Sequence, residues 1–253
     1  MRQFVSATAK LVFGLICLFC TGENAAASAQ TLTVRSFLNA EGQIARESLA
    51  VAEGTNFTDM EEFDFFGTPT TLGGVQLKLD GVPQRLRSAT ATRVVFIVDA
   101  VGQATRQVEL KTKAGATLQA QITVVNAWPG VFVQNSGDGT QNNLLAGLWA
   151  QDPNQPVLNP ITSDPIPVGS AQRPTQIILN GSGFRFAALV RVRLNSIACP
   201  IVGFGPSSLF PGQDELAFQI PPSLAGAGSV DVLITVAGRE ANYARLVLGA
   251  AVN

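Results

Sequence analysis

The chain has no histidine among its 253 residues. That absence removes Ser-His-Asp and Cys-His nucleophilic catalysis, imidazole acid–base chemistry and His-ligated zinc. Cysteine is nearly as scarce, with three residues. Cys17 and Cys20 fall in an N-terminal apolar run, which leaves Cys199 alone in the rest of the chain. No internal disulfide and no thiolate metal site can be built from one cysteine. Its neighbours, Ile197, Ala198, Pro200 and Ile201, are apolar or proline, the setting of a buried and inert thiol. Charge is also thin, at 14% of residues with a formal net charge of −1. With neither a basic patch nor an acidic tail, nucleic acid and anionic membrane surfaces are poor candidate partners.

The first 29 residues read as a targeting segment rather than as fold. Met1-Arg2 and Lys10 bring positive charge, residues 11–20 are apolar, and Ala27-Ser28-Ala29 is a small-residue cleavage pattern. A signal peptide cut after Ala29 is expected. The apolar run is about ten residues long, whereas a spanning helix needs roughly 20. The reading is therefore of a secreted chain with no membrane span after cleavage, located in the periplasm, at the cell surface or outside the cell.

What is abundant is β-former and turn. Residues 75–79 (Val-Gln-Leu-Lys-Leu) alternate apolar and polar and stop at Asp80-Gly81, and residues 190–194 (Val-Arg-Val-Arg-Leu) repeat the pattern. Each is preceded by a glycine turn ending in phenylalanine, Gly54-Thr55-Asn56-Phe57 and Gly181-Ser182-Gly183-Phe184. Each is followed by a strand-like run around a Phe (Phe96, Phe218), an alternating strand from Val108 or Val230, and a glycine turn at Gly115 or Gly238. The order and the near-constant interval describe a duplicated unit. Short strands punctuated by turns predict an all-β chain of two tandem immunoglobulin-like β-sandwich domains, of about 100 residues each. The expected boundaries are 30–126 for the first sandwich and 174–253 for the second. Residues 127–173 carry prolines, Asn135-Ser136-Gly137-Asp138-Gly139, and the apolar Trp128, Val131, Phe132, Leu144, Leu145, Leu148 and Trp149. This reads as an ordered Pro/Gly/Asn-rich connection packed on one or both domains, with residues 153–174 as an extended linker. Residues 144–150 are expected to form a turn or two of helix, and Ser223-Leu224-Ala225 one more.

Several of these motifs resemble a known family. Phe37-Leu38-Asn39-Ala40, the run from Leu49 to Gly54-Thr55-Asn56-Phe57, Leu72-Gly73-Gly74-Val75, Asp80-Gly81-Val82-Pro83, Asn126-Ala127-Trp128-Pro129-Gly130-Val131-Phe132, Gly181-Ser182-Gly183-Phe184, Phe218-Gln219-Ile220-Pro221 and Val236-Ala237-Gly238-Arg239 resemble the Solibacter-type uncharacterised C-terminal domain of secreted acidobacterial proteins. Each half is similar to IPT/TIG immunoglobulin-like domains, which often begin with a Gly-x-x-Phe turn. The resemblance implies a pair of Ig-like sandwiches with no known catalytic activity. The chain departs from the family at Glu53-Gly54, where Pro-Gly is usual, and between Cys199 and Pro206, where a Tyr is usual.

The remaining chemistry is carboxylate chemistry. Glu53, Asp59, Glu61, Glu62 and Asp64 cluster around Phe63, Phe65 and Phe66. Oxygen ligands in a loop can bind calcium, but the spacing fits no calcium loop. Paired carboxylates can hydrolyse glycosides, but only across a cleft that nothing in the sequence builds. The segment, with Asp59, Glu61, Glu62, Phe63, Asp64 and Phe65, reads as an exposed interaction loop. Trp128 and Trp149 are candidate aromatic contacts for sugar rings, set against core packing, which Trp128 before Pro129-Gly130-Val131-Phe132, read as a buried junction, favours. The resulting expectation is a non-enzymatic binding or structural protein that needs no cofactor and engages an unknown protein or polysaccharide ligand. Its alternatives are a carbohydrate-binding module using the two tryptophans and a carboxylate-dependent hydrolase.

Overall fold

A computed structural model describes residues 31–39, 42–64, 69–134, 143–151 and 157–252. The expected signal peptide, Phe65 and the Asn135–Gly139 stretch lie outside these residues. Among the described residues the regular structure is strand throughout, apart from one 3-10 turn over Pro222–Leu224.

The first sandwich comprises β1 (Thr33–Ser36), β2 (Gln43–Ala45), β3 (Leu49–Glu53), β4 (Glu62–Phe63), β5 (Thr71–Leu72), β6 (Val75–Leu79), β7 (Val82–Pro83), β8 (Leu86–Ala89), β9 (Arg93–Ile97), β10 (Ala104–Lys111) and β11 (Thr117–Val125). One sheet has the order β1-β3-β9-β8-β4 and the other β2-β11-β10-β6-β5, with β7 beside β6. In immunoglobulin lettering these are A-B-E-D and G-F-C. The short β2 runs parallel to β11 and so switches the first strand from one sheet to the other. Between the sheets lie Ala50, Ala52, Phe57, Val75, Leu77, Leu79, Val94, Phe96, Val108 and Leu110.

The second sandwich repeats the plan. Its strands are β12 (Gly130–Val131), β13 (Val133–Gln134), β14 (Leu144–Leu145), β15 (Gly147–Ala150), β16 (Asn159–Pro160), β17 (Ile166–Val168), β18 (Gln176–Ser182), β19 (Val190–Leu194), β20 (Ile197–Cys199), β21 (Ile201–Pro206), β22 (Asp214–Gln219), β23 (Gly228–Val236), β24 (Arg239–Glu240) and β25 (Ala244–Ala251). The order β15-β18-β22-β21 is again A-B-E-D, and β25-β23-β19-β20 is G-F-C with one strand added. Here too the sheet-switching strands, β14 and β17, run parallel to β25. The tandem Ig-like architecture follows from this double recurrence of one strand order.

The repeated glycine turns show why the motif occurs twice. Phe57 and Phe184 are both fully buried. A Cβ on Gly54 would stand 2.7 Å from the Phe57 ring, and one on Gly181 would stand 2.6 Å from the Phe184 ring. Each glycine therefore leaves space for a phenylalanine plug, whose burial stabilises its sandwich by about 1.5–3 kcal/mol. Asn56, with φ of 55°, takes the left-handed turn conformation that asparagine tolerates.

The structure corrects three expectations. The second sandwich does not begin at residue 174, because described residues of the 127–173 connection supply its A-type strands. Gly130 and Val131 pair with Ser182 and Gly181, and residues 147–150 pair with β18. The helical turn expected over 144–150 is strand for the same reason, since ladder pairing to β18 and β25 outweighs weak local propensity. The extended linker expected over 153–174 instead buries Ile161, Ile166 and Val168 in the second core. Of its described prolines, Pro160 and Pro167 stand in the edge strands β16 and β17, where a missing N–H costs no ladder bond. A smaller difference concerns Asn180-Gly181, which lies inside β18, so that the turn falls at Gly183.

Candidate functional site

The register of β3 and β9 decides what the first sandwich shows on its outside. Ala50 pairs with Phe96 and Ala52 with Val94, all facing the core. Leu49, Val51, Val95 and Ile97 alternate with them and face outward. Even so, Leu49 is 5% exposed, and Val51 and Ile97 are 0% exposed. An outer sheet face this dry has been covered.

Part of the cover is the second sandwich. A Cβ on Gly212 would stand 2.9 Å from both Leu49 and Ile97, so only glycine lets that loop lie against them. The Leu49 N–H donates to Ser182 Oγ at 2.9 Å, and the Ser182 hydroxyl donates on to the Gly212 carbonyl at 2.8 Å. Arg185 fastens the same junction. Its guanidinium donates to Asp214, to the Gln213 carbonyl at 2.7 Å, and across to Glu47 Oε2 of the first sandwich at 3.2 Å. Asp214 is fully buried and also accepts from the backbone N–H of Phe184 and of Arg185. Burial pushes the Asp214 carboxyl upward, against the pull of the Arg185 guanidinium. Further contacts join the halves. The Arg46 guanidinium lies 3.6 Å from the Phe186 ring centre, and Phe37 meets Phe132 with ring centres 6.3 Å apart.

Beside this junction the outer face stays open as a groove of about 430 Å³. Its floor is sheet, from Leu49, Val95, Ser88 and Arg87. Phe37 and Phe63 wall it from the first sandwich, and Phe132 and Gln213 from the second. Arg87 stands out there as a cation only 6% exposed, whose Nη1 has no hydrogen-bond partner among the described residues. Desolvation lowers its pKa, with the charge of Asp64 acting in the opposite direction. Arg93 at the rim is engaged differently, 3.6 Å from Glu53. Glu53 is also held by Arg35 at 2.8 Å, and these cations keep its carboxyl below the usual range, Arg35 first.

The acidic loop divides between structure and groove. Asp59 pairs with Lys113 at 2.5 Å, which holds its carboxyl low, and it remains 76% exposed. Glu62 accepts from the Gly73 N–H at 2.7 Å and so pins the loop to its own return. Glu61 is exposed. Phe63 is 57% exposed and forms a groove wall, and the Asp64 N–H donates to the Arg87 carbonyl. Among the described residues of the predicted loop, Phe63 lines the groove and Asp64 is held beside Arg87. Among the described residues no group of three His, Cys, Asp or Glu side chains converges as a metal site would require.

The tryptophans are placed apart from the groove lining, and both are half-buried. Trp149 packs against the second core from β15. Trp128 is stacked by the Arg239 guanidinium at 4.4 Å. Cys199 is buried, and desolvation pushes its thiol up to about 11. It is therefore protonated and inert near neutral pH, as its neighbours suggested. Arg87, Phe37, Phe132 and Gln213 were not singled out for a site by sequence reasoning. The one available signal was that Phe37 and Phe132 both stand in segments where a turn and an apolar residue adjoin.

No family model matches the chain, and no curated protein matches it. Among solved structures, it is similar to SGBP-B of the Bacteroides ovatus mixed-linkage glucan utilization locus, solved with a mixed-linkage heptasaccharide. The identity is 12% and the TM-score 0.31, over 82% of this chain and 43% of that one. The chain thus spans less than half the length of that protein. It is also similar to the fibronectin(III)-like modules of Clostridium thermocellum CbhA, at 9% identity and a TM-score of 0.23, over 87% of this chain and 95% of that one. The assignment of the fold rests on the strand order above and not on these distant likenesses. No helix among the described residues is long and apolar enough to cross a membrane.

Proposed function

We propose that this is a secreted, non-catalytic binding protein whose two Ig-like sandwiches act as one body and take a ligand in the groove between them. The observation that carries this reading is that one groove draws walls from both sandwiches beside a locked junction. Phe37 and Phe63 come from the first and Phe132 and Gln213 from the second. A fixed angle between domains pre-organises such a site, so that binding does not have to order it. The missing histidine and the structural engagement of Asp59 and Glu62 support a non-catalytic role. The leader-like N-terminus and the resemblance to secreted acidobacterial domains support export, to the envelope or beyond it.

The carbohydrate-platform reading through Trp128 and Trp149 has less support. Arg239 occupies a face of the Trp128 ring, and Trp149 is committed to the second core. The test is a binding screen of the full chain against soluble polysaccharides and small organic ligands, repeated with Phe63→Ala and Phe132→Ala. Any specific ligand is expected to lose about tenfold or more in affinity with each variant. A ligand bound equally well by both variants would move the site away from the groove.

A further inference from the structure

The groove has one chemical feature that its apolar walls do not explain. A guanidinium 6% exposed, with its Nη1 lacking a partner among the described residues, is costly to keep. Buried charges are normally paired, and an uncompensated one weighs against the fold. Asp64 gives part of the compensation through space. Arg93 differs, because Glu53 already engages it. The groove therefore offers an anion one cation at its floor. Arginine suits a carboxylate there, since its planar fork can donate two parallel bonds.

The rest of the lining narrows the ligand further. Three phenyl rings and two aliphatic side chains face few polar groups, namely Ser88, Thr90 and Gln213 beside the two arginines. An oligosaccharide carries hydroxyls on every ring and would leave most of them unpaired on such walls. An extended peptide needs a sheet edge for its backbone bonds, whereas this groove lies over a sheet face. The volume of about 430 Å³ matches a small molecule.

We propose that the groove is a site for a small apolar or aromatic carboxylate, with the carboxylate on Arg87 and the hydrocarbon body among Phe37, Phe63 and Phe132. This deepens the composite-groove reading above and rests on it. The discriminating probes are phenylpropionate and its uncharged isostere phenylpropionamide, titrated calorimetrically into the full chain at neutral pH. The acid binds, and the amide binds about tenfold more weakly or worse, the loss expected for one charge-assisted pair. Arg87→Gln brings the two within about twofold of each other, whereas Arg93→Gln leaves their ratio unchanged. Phe132→Ala weakens acid and amide alike and preserves the ratio.

The acid–amide ratio of the unaltered chain already tests the idea, should Arg87→Gln fail to fold. Equal binding of the two probes, with both weakened by Phe132→Ala, overturns the carboxylate and keeps the groove. Acid binding indifferent to both Arg87→Gln and Phe132→Ala overturns the carboxylate and the groove together. Absence of any acid binding at millimolar concentration also overturns the carboxylate inference, and the wider ligand screen then judges the groove alone.

Discussion

The two sandwiches share a strand order and differ in where they have grown. In the first, the segment between strands B and C is long and contributes β4 and β5, including Phe63. In the second, that connection is short, and the growth lies before strand B, where β12, β13 and β16 are added beside the A-type strands and Phe132 falls between β12 and β13. The cores are near copies, because each must bury a Phe plug beneath a glycine and match Ala50–Phe96 with Ile177–Phe218. The additions are under no such demand. Phe63 and Phe132, one from each addition, wall the same groove. The repeated strand order thus supplies the frame, and the unlike additions on its two copies supply walls of the groove.

The strongest way to break this comparison is to remove the plugs. Phe57→Ala and Phe184→Ala are each expected to cost about 3–5 kcal/mol, measured by urea denaturation. Similar losses would confirm that the copies are energetically equivalent. A much smaller loss for Phe184→Ala would show that the extra strands of the second sandwich take over the role of the plug.

Next in size is the junction. Arg185→Ala strips the ion-pair partner from a carboxylate that is 0% exposed, and a loss of about 3 kcal/mol is expected. Glu47→Gln removes only the 46% exposed partner of the same guanidinium and is expected to cost about 0–1 kcal/mol. If the two variants were equal, the second sandwich would not be holding Arg185 in place for the first. Ser182→Ala deprives the buried Leu49 N–H of its acceptor, at about 1–3 kcal/mol. Its signature is faster hydrogen exchange at the Leu49 amide than in the cores of either sandwich.

The smallest effect separates the copies by pH. Asp80 and Asn195 occupy matching positions after strand C, both with positive φ. Asp80 accepts from the Gln107 N–H and Asn195 from the Asp231 N–H, each at 2.9 Å. The Gln107 N–H, and then Arg106, hold the Asp80 carboxyl below 3.8. Its contribution is present above that ordinary value and is lost as the pH falls through the depressed one. Asn195 has no charge to lose. Asp80→Asn should therefore flatten the acid limb of the first sandwich, followed by amide NMR during an acid titration, while the second stays unchanged.

Legibility in the sequence followed local periodicity. Residues 75–79 and 230–236 were readable as strands because a half-buried antiparallel strand reports burial at every second residue. Residues 144–150 and 166–168 were not, because their partners in β18 and β25 lie well downstream in the chain. The Pro-rich composition of residues 160–167 looks the same in a linker as on a sheet margin. The acidic loop was legible as a loop, but of its described residues Phe63 alone lines the groove, with Asp64 beside Arg87. Arg87 gave no signal, since an arginine on an outer strand face is ordinarily solvated.

The sequence by itself determined that there would be two β cores, where their turns and plugs would fall, and which catalytic chemistries were closed to the chain. Those properties depend on residue types and on intervals of two to a few residues. Only the tertiary structure decided which outer face would be covered, where the second sandwich would start, and that Arg87 would be buried beside Phe37 and Phe132. Those outcomes depend on surfaces meeting across long separations, such as Leu49 on Ser182 and Phe37 on Phe132. Complementarity of that kind leaves no periodic trace in either partner alone.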